Sequence, residues 1–213
     1  MNQFNRQYFF VVQPRDDDKD TDVLPFLTPD ESTAKLPFQY QPIPIGTKPL
    51  MFFNGEKEAN IKYGVSVVKT PPPVLFAGNH PVVNGRLKDK LLALELPNIV
   101  LQPAIFVDDW DKWHEDYWYV TFLERLDCWD RQTSDFERSE PPIQLGGFNL
   151  YQVYRFSLDD AVLSKIEPER RMLFQMGGSQ EGMVVAHQSI APMFTSASKG
   201  VQVLAIDDYP AKY

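Results

Sequence analysis

The residues best suited to a specific chemistry in this chain form an acidic and aromatic segment, residues 108–118. It interleaves five carboxylates with three tryptophans and a tyrosine. Tryptophan and tyrosine combine a large apolar surface with a polar group, and they are common where proteins bind one another. Neighbouring carboxylates favour a partner of positive charge. The candidate contact residues are Asp108, Asp109, Trp110, Asp111, Trp113, Glu115 and Asp116. The alternative is that the tryptophans anchor a loop to its own domain while the acids face water.

The histidines and the cysteine lack the spacing of a catalytic or metal-binding motif. His80, His114 and His187 are far apart in sequence, and Cys128 is the one cysteine. A zinc site or a Cys–His nucleophilic pair would require folding to bring these residues together. Cys128 has apolar neighbours, which predicts a small buried residue instead.

Two further motifs resemble catalytic elements without completing them. The glycine-rich run 177–182 lacks the Lys-Ser/Thr of a phosphate-binding loop, and a predicted strand follows it, so it predicts a hairpin turn. The acid pairs Asp108/Asp109 and Asp159/Asp160 could serve as glycosidase carboxylates, but adjacent side chains on a strand point apart. We therefore predict a protein that is not an enzyme and uses no cofactor or metal. The alternatives are a small hydrolase or transferase that uses dispersed His and Asp residues, and a structural component.

Composition limits the remaining classes. With 213 residues and 43% hydrophobic content, the chain suits one globular domain with a core. A net charge of −8 argues against nucleic-acid binding, which needs clustered Lys and Arg. A single cysteine excludes an intrachain disulfide. The N-terminus lacks a signal-peptide pattern, and no apolar run approaches the ~20 residues of a bilayer span. We expect a cytoplasmic protein that binds neither membrane, nucleic acid nor small-molecule substrate.

The elements that must position these residues differ between two parts of the chain. Residues 1–75 carry ten of the eighteen prolines, which fix φ and remove a ladder donor. We expect this part to pack on the core, with short strands at residues 8–12 and 61–68. Residues 76–213 are expected to form that core, and the two parts together one compact unit.

The core begins with the clearest helix signal. Asn84 can cap a helix whose Leu87, Leu91 and Leu94 follow i, i+4, i+7 spacing, and Pro97 ends it. A strand follows over residues 99–107, where Pro103 indicates a sheet edge or a bulge.

In the rest of the core, apolar and polar residues alternate as they do in short strands. The predicted strands are residues 118–126, 150–156, 172–176, 183–186 and 201–206. Between the last two, Ser189 can cap a short helix that runs through Phe194 and ends near Gly200. Without βα alternation, the order of elements predicts an α+β fold of mixed, mostly antiparallel short strands with two or three helices.

From His80 onward the order of segments resembles a bacterial polymorphic-toxin immunity family, number eleven in that nomenclature. The matching stretches are Arg86-Leu87-Lys88-Asp89 through Leu96-Pro97-Asn98-Ile99, then Trp118-Tyr119-Val120 with Leu126-Asp127-Cys128-Trp129-Asp130 and Ser134, then Met183-Val184-Val185 through Gly200-Val201-Gln202-Val203. They cover roughly residues 80–206. Phe122 stands where the family has an asparagine, and the acidic segment has no family counterpart.

The resemblance implies a cytoplasmic protein that neutralises a cognate toxin by binding it. The acidic and aromatic segment is compatible with such a partner, a toxin with a basic surface such as a nuclease. The sequence therefore predicts an immunity protein, with the small hydrolase or transferase as the alternative.

Overall fold

The computed structural model describes residues 3–14, 22–145, 147–196 and 200–209. The strands are β1 (Tyr8–Val12), β2 (Leu27–Pro29), β3 (Leu50–Asn54), β4 (Val74–Ala77), β5 (His80–Asn84), β6 (Ile99–Val107), β7 (Trp113–Phe122), β8 (Arg125–Leu126), β9 (Asp135–Phe136), β10 (Ile143–Leu145), β11 (Phe148–Leu150), β12 (Val153–Arg155), β13 (Leu173–Met176), β14 (Val184–His187) and β15 (Gln202–Ala205). The helices are α1 (Glu31–Ala34), α2 (Lys57–Tyr63), α3 (Gly85–Leu92), α4 (Asp160–Leu163) and α5 (Ala191–Thr195), with 3₁₀ turns at Gln3–Arg6 and Ile206–Asp208.

Two sheets organise the described chain, and most of their strand pairs are antiparallel. One has the order β2-β3-β6-β7-β5-β4, and the other has the order β15-β1-β14-β13-β8. The parallel pairs in these sheets are β3 with β6 and β13 with β8. Two small sheets pair β10 with β11 and β9 with β12. The predicted α+β class with mostly antiparallel strands is confirmed.

The N-terminal part of the chain contributes to both large sheets. Strand β1 lies inside the five-stranded sheet, where it pairs with β14 on one side and β15 on the other. Strands β2 and β3 belong to the six-stranded sheet. The division expected at residue 75 therefore does not coincide with a structural boundary, because strands from both sides of it share each sheet.

The two strands predicted in this N-terminal part have different outcomes. The first is confirmed as β1. The second, residues 61–68, is wrong, because α2 occupies its beginning. That helix ends at Gly64, whose φ of 67° lies in the left-handed region that glycine adopts readily. Only an isolated bridge between Val67 and Val23 lies in the rest of the predicted span.

Helix α3 begins where its sequence predicts but ends earlier, at Leu92, so Leu94 lies in the turn that precedes Pro97. The Asn84 side chain accepts a hydrogen bond from the Leu87 backbone N–H at 3.1 Å, which satisfies one of the free donors of the first turn. Leu87 and Leu91 are each 1% exposed and face the core, and Leu94 is partly buried against the same cluster.

Replacing Leu91 with Ala should lower the free energy of unfolding by about 2–5 kcal/mol, because the truncation removes buried methyl groups and leaves a cavity. Leu92 is the matched control on the same helix, since its side chain is 56% exposed. Leu92→Ala should change stability by no more than about 0.5 kcal/mol. Urea unfolding of both variants measures the difference. Equal effects would place the two leucines in equivalent surroundings and contradict the packing described here.

The predicted strand over residues 99–107 is confirmed as β6, and Pro103 lies beside a bulge, on the part of the strand that β3 does not reach. Strand β6 is flanked by β3 and β7, and its pairing with β3 begins at Ala104, one residue after the proline. The register between β6 and β7 shifts just beyond this point, between Ala104 and Phe106. Pro103 thus lies where β6 has β7 as its one paired neighbour, next to the bulge, and both features that it predicts occur there.

The later strands correspond to the predicted ones, except that two of the predicted strands are each divided into two. The predictions over 172–176, 183–186 and 201–206 correspond to β13, β14 and β15, and the glycine-rich run 177–182 forms the predicted hairpin turn between β13 and β14. The span 150–156 is divided between β11 and β12, and the span 118–126 between β7 and β8.

The helix expected after Ser189 starts later than predicted. It is α5, which has no side-chain cap and carries a proline in its first turn, a position that proline tolerates. Ser189 instead bonds to His187 Nδ1 at 2.8 Å. The described helix ends at Thr195, before Gly200.

Three apolar clusters fill the part of the molecule that the structure describes. One joins the two large sheets and includes α3 and α5, with Leu87, Val120, Val184 and Phe194 among its members. The second covers the other face of the five-stranded sheet with segments from residues 126–163. The third covers the other face of the six-stranded sheet. This last sheet carries the acidic and aromatic segment at one end.

Candidate functional site

The acidic and aromatic segment is a β-hairpin rather than one long loop. Residues 108–112 form the turn between β6 and β7, and β7 begins at Trp113, five residues earlier than predicted. The backbone of the turn closes through the Asp108 N–H, which donates to the Lys112 carbonyl at 3.0 Å. Asp111 has a φ of 61°, a left-handed conformation that aspartate tolerates better than most residues. We call residues 108–116 the acidic hairpin.

Asp108 fixes the turn of the acidic hairpin from inside. Its side chain is 7% exposed, and one carboxylate oxygen accepts the backbone N–H groups of Trp110 at 2.9 Å and Lys112 at 3.0 Å. The other oxygen lies 2.9 Å from His114 Nε2. Burial alone would raise the pKa of Asp108, but the bonds from His114 and the two backbone groups outweigh it and lower the pKa. The carboxylate is thus a structural part of the hairpin.

Asp109 is also held by the fold. Its Oδ2 accepts a hydrogen bond from Asn54 Nδ2 at 3.1 Å. Asn54 is buried at the end of β3, and its own Oδ1 accepts from the backbone N–H groups of Phe26 and Glu56. This network ties the acidic hairpin to the neighbouring strand, so Asp109 positions the turn.

Trp110 and Trp113 present their side chains to solvent. They are 55% and 54% exposed. Trp113 pairs with Val107, and Val107 pairs with Phe53 of β3. Residues paired across neighbouring strands lie on the same face of a sheet. Phe53, 42% exposed, therefore extends the apolar surface of Trp113 across three strands.

A β-bulge exposes two more acids beside this row. Ala104 pairs with Tyr117 and Phe106 pairs with His114, so Glu115 and Asp116 together oppose Ile105. Regular alternation would send one of two consecutive side chains into the core, and the extra residue of a bulge removes that constraint. Both carboxylates are exposed. Asp116 also accepts the Gly85 N–H at 3.3 Å, at the start of α3.

The seven predicted contact residues therefore divide into two groups. Asp108 and Asp109 are used by the fold, while the five exposed ones are Trp110, Asp111, Trp113, Glu115 and Asp116. Phe53 was missed, although the alternation of β3 contains a signal for it. Phe52 is 1% exposed and points into the core, so the adjacent Phe53 must point outward. Two consecutive phenylalanines in one strand are the feature that could have revealed it, because only one of them can face the core.

The other two tryptophans belong to the interior. Trp118 is partly buried, and the Lys88 ammonium lies 4.4 Å from its ring centroid. Trp129 is 1% exposed. The interpretation that tryptophans of this region anchor it to its own domain holds for this pair, whereas Trp110 and Trp113 are surface residues.

The three histidines have separate surroundings. His80 is buried, stacks on Tyr119 at 5.2 Å and lies 3.2 Å from the Gln175 amide nitrogen. Desolvation lowers the pKa of His80 to about 4, so the ring is neutral at pH 7. His114 belongs to the acidic hairpin, and His187 packs on Tyr8 at 5.2 Å.

The remaining candidates for catalysis have structural roles. Asp159 caps α4, and Asp160 accepts the backbone N–H groups of Gln3 and Phe4. Cys128 is buried, and its Sγ lies 3.8 Å from the Met176 sulfur. Burial raises the pKa of the Cys128 thiol well above its usual range. In the part of the chain that the structure describes, no group of three or more His, Cys, Asp or Glu side chains could hold a metal ion.

No family model matches the chain, and no curated protein does. None of the described helices has the length and apolar character needed to cross a membrane.

The turn makes a pH-dependent contribution to stability that can be measured. Asp108→Asn should lower the free energy of unfolding at pH 7 by about 1 kcal/mol, the difference between hydrogen bonds to a charged and a neutral acceptor. Because the folded pKa of Asp108 is lowered, this stabilisation is present above the ordinary value of about 4 and is lost as the pH falls through the folded value.

Urea unfolding at pH 7 and at pH 3 tests this prediction. Asp111→Asn in the same turn is the control, because the Asp111 side chain is 91% exposed and should contribute less than about 0.5 kcal/mol. A cost for Asp108→Asn that is the same at both pH values would show that the charge of Asp108 does not stabilise the turn.

Proposed function

We propose that this protein is a cytoplasmic immunity protein that binds and neutralises a cognate bacterial toxin. The observation that carries the proposal is the exposure of Trp110 and Trp113 beside three exposed carboxylates. Large aromatic side chains left in water are typical of surfaces that a partner covers. The stretches that resemble a toxin-immunity family support the same class of function.

The charge of the acidic hairpin indicates the kind of partner. Asp111, Glu115 and Asp116 lie close to the two tryptophans, and the chain as a whole carries a net charge of −8. Such a surface attracts a cationic protein and raises its association rate. A nuclease is the toxin class we favour, because an enzyme that binds phosphates needs a basic surface. The acidic hairpin would then occupy or border that surface.

Protection of living cells tests the proposal. The toxin encoded beside this gene is expressed in a sensitive host, alone and together with this protein, and survival is measured. We expect survival only when both are present. Full lethality of the toxin while both proteins are soluble would refute the immunity function.

A double variant and a control test whether protection depends on the acidic hairpin. Trp110→Ala combined with Trp113→Ala should weaken or abolish protection. The matched control is Tyr154→Ala, which removes an aromatic ring that is 41% exposed on β12, in a different sheet. Protection that survives the double substitution as well as the control would locate the binding surface elsewhere.

A further inference from the structure

A cavity of about 480 Å³ opens beside the end of β7, away from the acidic hairpin. Its volume falls within the range of about 300–1,000 Å³ that is typical of small-molecule sites. Most of its wall is apolar. Its lining includes Tyr40, Phe122, Glu124, Arg125, Leu145 and Phe148.

The hairpin of β10 and β11 supplies one wall of this cavity. Ile143 pairs with Leu150, and Leu145 pairs with Phe148, so all four apolar side chains share one face. Gln144 and Asn149 pair with each other on the opposite face. Three of the four apolar side chains remain in contact with solvent, with exposed fractions of 54% for Ile143, 61% for Leu145 and 47% for Phe148. The cavity wall is thus an apolar surface that its own domain leaves partly uncovered.

Arg125 brings a positive charge to this apolar wall. Its Nε donates to Gln175 Oε1 at 3.0 Å, and the guanidinium lies 5.4 Å from the Tyr40 ring centroid. The adjacent Glu124 is paired with Arg170, with which it makes two hydrogen bonds. No ion pair joins Arg125 to a carboxylate of the described residues. The guanidinium fork is therefore held in place with its charge uncompensated.

An orphaned hydroxyl lies close to the same charge. Tyr119 is fully buried, and its hydroxyl has no hydrogen-bond partner among the described residues. Its electrostatic neighbours include Tyr40 and Arg125, which both line the cavity. A buried donor without a partner is unfavourable. Tyr119 itself does not line the cavity, so Arg125 is the donor group that the cavity presents to a ligand.

We propose that this cavity binds an aliphatic monocarboxylate, with the carboxylate at Arg125 and the chain along the apolar face of the β10–β11 hairpin. The planar guanidinium matches the geometry of a carboxylate. The Glu124 carboxylate in the cavity lining is paired with Arg170. The guanidinium of Arg125 and the apolar wall therefore suit a ligand with a single negative charge and an apolar body. The inference does not depend on the proposed immunity function.

Calorimetric titration with decanoate, kept below its micellar concentration, tests the site, and decan-1-ol serves as the uncharged probe. Wild type should bind decanoate saturably and at least tenfold more tightly than decan-1-ol. Arg125→Met should weaken decanoate binding at least tenfold and leave decan-1-ol binding unchanged. Equal affinity for the two probes in wild type, or no saturable binding of decanoate, would overturn the proposal.

Two variants of the hairpin test the location without disturbing buried residues. Leu145→Glu places a charge on the apolar face, and Gln144→Glu places the same charge one residue away on the opposite face. The first should reduce decanoate affinity at least tenfold, while the second should leave it within twofold of wild type. Similar affinities in both variants would show that decanoate does not bind in this cavity.

Discussion

Trp129→Ala should lower the free energy of unfolding by about 3–5 kcal/mol, the range found for buried large aromatic residues. The Trp129 ring is 1% exposed and makes edge contacts with Phe136 at 5.0 Å and Tyr151 at 5.8 Å. The Arg131 guanidinium covers its face at 3.8 Å from the ring centroid. Truncation would remove all of these contacts together and leave a cavity next to the five-stranded sheet.

Trp129→Phe is the matched control for this truncation. The Trp129 indole N–H is buried without a hydrogen-bond partner in the described part of the chain. Phenylalanine retains an aromatic ring and removes that donor, so its cost should be clearly smaller than that of alanine. Denaturant unfolding at neutral pH measures both. A loss below about 0.5 kcal/mol for Trp129→Ala would contradict the packing of this cluster.

Trp113→Ala should have the opposite profile, with little effect on stability and a large effect on binding. If the acidic hairpin contacts the toxin, the loss of a desolvated aromatic anchor should cost about 2–4 kcal/mol of binding free energy, or about 30- to 1,000-fold in Kd. Because the Trp113 side chain is 54% exposed, its stability should remain within about 0.5 kcal/mol of wild type. Trp110→Ala should behave similarly.

The acids around these tryptophans should act on a different kinetic step. Glu115→Gln removes an exposed carboxylate, which should slow association and flatten its dependence on salt, with little change in dissociation. Truncating a tryptophan should instead speed dissociation. Surface-captured toxin and a salt series separate the two effects. If both tryptophan variants fold normally and bind as tightly as wild type, the interface lies elsewhere on the protein.

The features that the sequence could predict are those with local causes. The Asn84 cap and the leucine spacing of α3 act within a few residues. The bounds of β6 follow from a mostly apolar run that is interrupted at Gln102 and ended by acids. The place of β1 inside a sheet could not be predicted in this way, because its partners are more than 170 residues away. The strand predicted over residues 61–68 begins in the second half of α2. Apolar and polar residues alternate there as in a strand, and the helix is recognisable only together with the preceding Lys57 and Glu58.

The candidate site was predictable in location but only partly in the roles of its residues. The density of tryptophan and acid identifies the hairpin. The sequence does not distinguish an exposed carboxylate from one that stabilises a turn. Only the hydrogen bonds of the folded turn show that Asp108 has a structural role and Asp111 does not. The bulge that exposes both Glu115 and Asp116 depends on register with β6, which is a property of two strands together. Phe53 lies beside Trp113 only because β3, β6 and β7 pair in this register, which the sequence of one strand does not show.

The position of β1 has a consequence for the synthesis of this protein. Its two partners, β14 and β15, are synthesised more than 170 residues after it. At the usual elongation rate of about 5–20 residues per second, the interval is on the order of ten seconds. During that time the strand Tyr8-Phe9-Phe10-Val11-Val12 has neither neighbour, although its composition is that of an aggregation-prone segment. Chaperones that hold nascent chains are therefore expected to act on β1 until β14 and β15 have been synthesised.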